Sequence, residues 1–167
     1  YYFLPFASVS AKRMTYWAQN FNKFDVDCHT ITSIPQEESK QNVTVIPDDG
    51  SAGFLGKFIK DQGLTWRKKL IEHFEANNKY GEFGYVIFSG GPFMHFSVAH
   101  FLKKKFGMKT ILDYRDPFSN NPRHNSGFLK RTVQTYLEKK FNSKADLVIT
   151  VNSNCAEHIK SNTRAKV

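Results

Sequence analysis

Two short stretches carry residue types that can do chemistry. One is Ser89-Gly90-Gly91-Pro92-Phe93. The other is Asp113-Tyr114-Arg115-Asp116-Pro117-Phe118. A carboxylate at the end of a strand can orient or deprotonate a hydroxyl group, which singles out Asp116. An adjacent guanidinium, Arg115, can hold a phosphate or a carboxylate. A glycine turn that opens a helix leaves amides free for an anion or for hydroxyl groups, which makes Ser89 to Phe93 a candidate binding loop. Each feature also has a structural reading. Gly90-Gly91 can be a tight turn, Asp116 can cap the turn that follows it, and Arg115 can pair with Asp113 or another acid.

The elements around these residues put them at one edge. Tyr85-Val86-Ile87-Phe88 is apolar without alternation, as in a strand covered on both faces. Residues 93–106 place Phe93, Met94, Val98, Leu102 and Phe106 near helical spacing, with Lys103, Lys104 and Lys105 in the last turn and Gly107 as a stop. Pro92 sits where a first helical turn tolerates it. Thr110-Ile111-Leu112 begins the next strand, and Pro117 ends it. This is a βαβ unit, and ligands of such sheets bind at the carboxyl ends of the strands.

The rest of the chain alternates in the same way. Strands are expected at 1–6, 25–32, 42–46 and 147–151, and helices at 12–24, 65–77, 128–141 and 153–161. In the helix at 12–24, Met14, Trp17, Ala18 and Phe21 should face the sheet. In the helix at 128–141, Leu129, Val133, Tyr136, Leu137 and Phe141 should be buried. Asn152 or Ser153 can cap the last helix. The alternation predicts one α/β domain with a mostly parallel sheet of about six strands. Residues 53–63 form either a short basic amphipathic element that touches a membrane or a loop helix packed on the domain.

Composition narrows the classes. The 167 residues carry a formal charge of +9 and include sixteen Phe. That suits an anionic partner, and an anionic membrane surface is preferred over nucleic acid because zinc-finger spacing and an RNA-recognition aromatic motif are absent. No segment approaches the roughly 18–20 apolar residues of a spanning helix. The apolar start, Tyr1 to Phe6, has no basic leader and does not read as a signal peptide. Cys28 and Cys155, the only two cysteines, read as reduced thiols of a cytoplasmic protein. There is no G-x-G-x-x-G, Walker, H-E-x-x-H or G-x-S-x-G pattern, so a dinucleotide enzyme, a P-loop ATPase, a zinc protease and a serine hydrolase are disfavoured, and no protein-bound metal is expected.

A strand leading into Ser-Gly-Gly-Pro-Phe, a helix, and a strand ending Asp-Tyr-Arg-Asp-Pro-Phe resemble the N-terminal domain of family 4, GT-B fold glycosyltransferases. Residues 145–152, ADLVITVN, resemble the last strand of that domain. The resemblance implies a Rossmann-like, three-layer domain spanning 1–167, on the acceptor side of the cleft, with the donor-binding domain absent from this chain. It implies transfer of a sugar from a nucleotide-sugar to an acceptor hydroxyl, with retention and without a metal or other cofactor. The acceptor would be a glycan or a lipid-linked glycan of surface polysaccharide, and the enzyme a cytoplasmic protein at the inner membrane face. This domain alone would be inactive. Asp116 is then the catalytic candidate. Ser8, Ser10, Ser89, Gly90, Gly91, Pro92, Phe93, Arg115 and His124 are the acceptor-side candidates. The chain departs from the family in its first loop, Ala7-Ser8-Val9-Ser10, which lacks the glycine pair of many members. The rival readings are a non-catalytic α/β module for an anionic ligand or protein, and a nucleic-acid-binding domain.

Overall fold

The computed structural model of the chain describes residues 1–36, 42–50, 59, 61–119, 121, 127–161, 163 and 166–167. The chain divides into two units, Tyr1–Gly50 and Ser51–Val167. In the first, helix α1 spans Val9–Asn20 and is followed by a 3-10 turn at Phe21–Phe24. Strands β1 (Thr30–Thr32) and β2 (Val43–Val45) pair in parallel, Thr30 opposite Val43. Residues 1–6 do not form the expected strand. Pro5 has no amide to give a ladder, and the Phe6 amide turns back to the Phe3 carbonyl at 3.1 Å. The start of the chain is instead tied to the end of β1, where the Tyr1 carbonyl accepts from Thr32 Oγ1 at 2.8 Å and from the Ser33 amide at 3.1 Å.

The second unit holds the central βαβ segment. Helix α2 (Gly63–Ala76) leads through a 3-10 turn to strand β3 (Tyr85–Ser89). A 3-10 turn at Met94–Ser97 opens helix α3 (Val98–Phe106), which returns to strand β4 (Lys109–Tyr114). Helix α4 (Phe128–Asn142), strand β5 (Leu147–Thr150) and helix α5 (Ser153–Lys160) follow. The sheet order is β3-β4-β5 and all three strands are parallel, with Ser89 opposite Asp113 and Tyr114 opposite Thr150. The Asn152 side chain caps α5, accepting from the Cys155 amide at 2.8 Å. Among the described residues the chain is therefore a mixed α/β protein with five α-helices and two parallel sheets, of two and three strands. The single sheet of about six strands expected from alternation is not what the described residues form, because 1–6 has no ladder and the strands divide between two sheets. The short element expected at 53–63 lies, except for residues 59 and 61–63, outside the described residues.

Strand β4 carries the core of the second unit. Thr110, Leu112, Asp113 and Tyr114 are fully buried. Phe93, Phe96 and Phe118 gather around Tyr114, with the Phe96 and Tyr114 rings 5.1 Å apart and the Phe93 and Phe118 rings 5.1 Å apart. Helix α4 is rotated from its expected setting. Its buried residues are Gln134, Glu138, Phe141 and Asn142. Leu129 and Tyr136, expected inside, are 73% and 63% exposed, and Val133 is also exposed. The reason is that α4 turns hydrogen-bonding groups inward. Asn142 Oδ1 accepts from the Tyr114 hydroxyl at 2.8 Å, and Glu138 accepts from the Phe118 amide and the Ser119 hydroxyl, each at 2.6 Å. A buried donor without a partner costs more than an exposed leucine.

The amino edge of the sheet is clipped by Asp146. Its carboxylate accepts from Lys103 Nζ at 2.7 Å and from the Thr110 amide at 2.9 Å. The bond to Lys103, with those from Thr110, draws its pKa down from 3.8 to about 2. A carboxylate whose pKa falls on folding stabilises above the unfolded value and loses that contribution as pH drops through the folded one. Asp146→Asn should therefore destabilise the protein by about 1 kcal/mol at neutral pH. Thermal melts should show the gap to wild type closing as pH falls from 3.8 toward about 2.

Candidate functional site

The carboxyl ends of β3 and β4 meet through a set of short bonds. Ser89 Oγ donates to Asp113 Oδ2 at 3.1 Å, and the Gly90 amide donates to the Asp113 carbonyl at 2.8 Å. Two residues on, Arg115 Nη2 donates to the Gly90 carbonyl at 3.1 Å. Asp113 and Arg115 thus reach the same β3 turn, as alternation along a strand allows. The two glycines are both required. A Cβ on Gly90 would stand 2.5 Å from the Phe93 ring, and Gly91 has φ +75° with Arg115 Nη2 2.8 Å from where its Cβ would be.

The amides expected to be free for an anion are not free. Asp61 takes them. Its Oδ2 accepts from the Phe93 amide at 2.7 Å, and its Oδ1 accepts from the Met94 amide at 3.1 Å and the Gly63 amide at 2.9 Å. The position at which an exogenous anion was expected is occupied by the protein's own carboxylate. Asp61 is 8% exposed, and burial raises its pKa against the lowering effect of these three amides. His95, one residue on, is buried against Trp66, Phe88 and Phe96. Burial holds its pKa well below the usual value, so it is neutral and belongs to the core. Phe93 is likewise core: it stacks on Tyr114 at 5.5 Å.

Arg115 and Asp116 are half-buried, in contrast to Asp113. The Arg115 Nε is buried without a hydrogen-bond partner. The loop that follows is clamped from behind by Glu138, which is fully buried. Beyond its bonds to Phe118 and Ser119, Glu138 Oε2 lies 2.9 Å from His158 Nε2, and Ser119 Oγ lies 3.1 Å from that same nitrogen. Ser, His and Glu are the residue types of a nucleophilic triad. In a triad, however, the hydroxyl and the carboxylate use opposite ring nitrogens. Here both face Nε2, and Ser119 is buried, so the cluster is a brace for the loop after Asp116. Cys155 packs nearby. Burial, and after it the charges of Glu138, Asp116 and Asp113, push its thiol up to about 11, so it is protonated at neutral pH. Both cysteines are free.

The structure thus brings Ser89, Gly90, Gly91, Pro92, Phe93, Arg115 and Asp116 to one sheet edge. Ser8 and Ser10 belong to the first unit, where Ser8 Oγ caps α1 through the Ala11 amide at 3.1 Å and lies 3.0 Å from Ser10 Oγ. His124 lies outside the described residues. Sequence reasoning missed Asp61 and Glu138. The signal for Glu138 was present as Gln134, Glu138 and Asn142, a polar stripe at i, i+4, i+8. Asp61 left only the weaker trace of an Asp two residues before a glycine. No group of three or more His, Cys, Asp or Glu side chains among the described residues is placed to hold a metal ion. No protein-family model matches this sequence, and a search of curated proteins gives no match.

Asp61→Asn should cost about 1–3 kcal/mol in a denaturant melt, because the new amide group faces the Phe93 amide and leaves a buried donor unpaired. The raised pKa of Asp61 means that the folded chain holds its proton more tightly than the unfolded chain. Wild type should therefore lose stability as pH rises through the carboxylate range, and the variant should lack that component of the slope.

Proposed function

We propose that this chain is the acceptor-side domain of a family 4, GT-B fold glycosyltransferase, which moves a sugar from a nucleotide-sugar to an acceptor hydroxyl. The reading carries with it the Rossmann-like class for this α/β chain. The observation that carries it is Asp116. It follows Arg115 at the carboxyl edge of a parallel sheet, remains partly open, and sits on a loop braced by the buried Glu138. A carboxylate so held can accept the proton of a hydroxyl or orient it for attack, and its neighbour Arg115 adds positive charge at the same edge. The glycine turn then serves to position Arg115 rather than to bind phosphate, since its following amides are spent on Asp61. Donor chemistry belongs to a second domain of the whole enzyme, and neither a metal nor a cofactor is assigned to this one. A glycan or a lipid-linked glycan of surface polysaccharide is the acceptor class, at the cytoplasmic face of the membrane.

The formal charge of +9 favours a second reading, a non-catalytic α/β module that binds an anionic or protein partner. Turnover separates the two. The natural protein that carries this domain, given a panel of nucleotide-sugars and a lipid-linked acceptor fraction, should release nucleoside diphosphate. Asp116→Asn should lower kcat by at least about 100-fold with little change in KM for the donor. Full turnover in that variant would remove Asp116 from the mechanism. An absence of nucleotide release with every donor, combined with calorimetric binding of an anionic ligand, would establish the module instead.

A further inference from the structure

The outward face of α4 has the wrong polarity for a solvated surface. Phe128 is 83% exposed, and Leu129, Val133 and Tyr136 are exposed beside it. Leu129, Val133, Tyr136 and Lys140 follow one another at i, i+4, i+7 and i+11, which makes one continuous stripe. The charges that this helix leaves outside are all positive. Lys130, Arg131, Lys139 and Lys140 are its cations, and Glu138, its one acid, is turned fully inward. Lys144 extends the positive run just past the end of the helix. An exposed apolar stripe whose charged neighbours are all cations is not accounted for by packing within the unit, because the inward face is already occupied by Gln134, Glu138, Phe141 and Asn142.

We propose that this face of α4 docks on an anionic lipid surface. The apolar side chains enter the boundary between headgroups and acyl chains, Phe128 and Tyr136 sit at the interfacial level, and the lysines meet lipid phosphates. Charge decides against the alternatives. A symmetric contact between two copies would bring the same cations against one another. A nucleic acid would use the cations but leave Leu129 and Val133 in water. The docking face does not depend on the chemistry of Asp116, so it stands or falls separately from the transferase reading. No helix among the described residues is long and apolar enough to cross a membrane, and the attachment is by the surface of α4 alone.

The test is co-sedimentation of the whole chain with vesicles of phosphatidylglycerol and phosphatidylcholine, against vesicles of phosphatidylcholine alone. Binding to the first and not the second, released by added salt, is the expected result. Leu129→Ser with Tyr136→Ser, and separately Lys139→Glu with Lys140→Glu, should each weaken it at least about tenfold. Circular dichroism and Tm should not change, because all four side chains are exposed. Equal binding to neutral vesicles, or undiminished binding by both variants, overturns the proposal. So does a dimer that the same substitutions dissociate without any vesicle binding, or salt-steep binding to an oligonucleotide in place of vesicles.

Discussion

Glu138 is a buried carboxylate on a helix, and such a group is tolerable only where donors meet it. It finds them in the Phe118 amide and the Ser119 hydroxyl, with His158 alongside. This requirement sets the rotation of α4. Once Glu138 points inward, Gln134 and Asn142, one turn to either side, must follow it, and Asn142 meets the Tyr114 hydroxyl. The opposite face, with Phe128, Leu129 and Tyr136, is then exposed. The same bonds hold the loop that leaves β4, and therefore the setting of Asp116. One buried charge thus governs both the candidate site and the exposed stripe.

The glycine turn obeys a parallel logic. A helix start with unpaired amides attracts an anion. Here the anion is internal, the carboxylate of Asp61. Its service is mechanical: it anchors Phe93 and Met94, Phe93 fills the space that a Gly90 side chain would need, and the turn presents the Gly90 carbonyl to Arg115. The proposed chemistry therefore rests on the side chains of Arg115 and Asp116 rather than on the backbone of the turn. Asp61 and Asp146 show two opposite electrostatic outcomes for the same residue type. Burial prevails at Asp61 and raises its pKa, whereas the bond to Lys103 prevails at Asp146 and lowers it.

A transfer site beside a lipid-docking helix would fit an enzyme whose acceptor is carried in a membrane. Such an acceptor diffuses in two dimensions and presents its hydroxyl near the headgroups, so attachment through surface contacts brings the site to it. The two proposals support one another in this sense while resting on different residues.

Much of the second unit was legible in the sequence. The unbroken apolar run at 85–88 and the Pro117 stop are local signals, and β3 and β4 form where they predict, whereas the helix expected over 93–106 opens as a 3-10 turn at Met94–Ser97 and is α-helical only over Val98–Phe106. Asn152 caps α5 for the same local reason. The Gly90-Gly91 turn and Arg115 were also legible as neighbours, since a parallel βαβ unit brings two strand ends to one edge. The rotation of α4 was not. Its apolar residues have helical spacing and so do its polar ones, and which face turns inward depends on partners at Tyr114, Phe118 and Ser119 that are distant in sequence. The filling of the helix amides by Asp61 was hidden in the same way, by a contact across 32 positions. Periodicity determined where the elements lie. Only the tertiary structure decided which buried polar groups find partners, because hydrogen-bond satisfaction is a property of pairs and not of a run of residues.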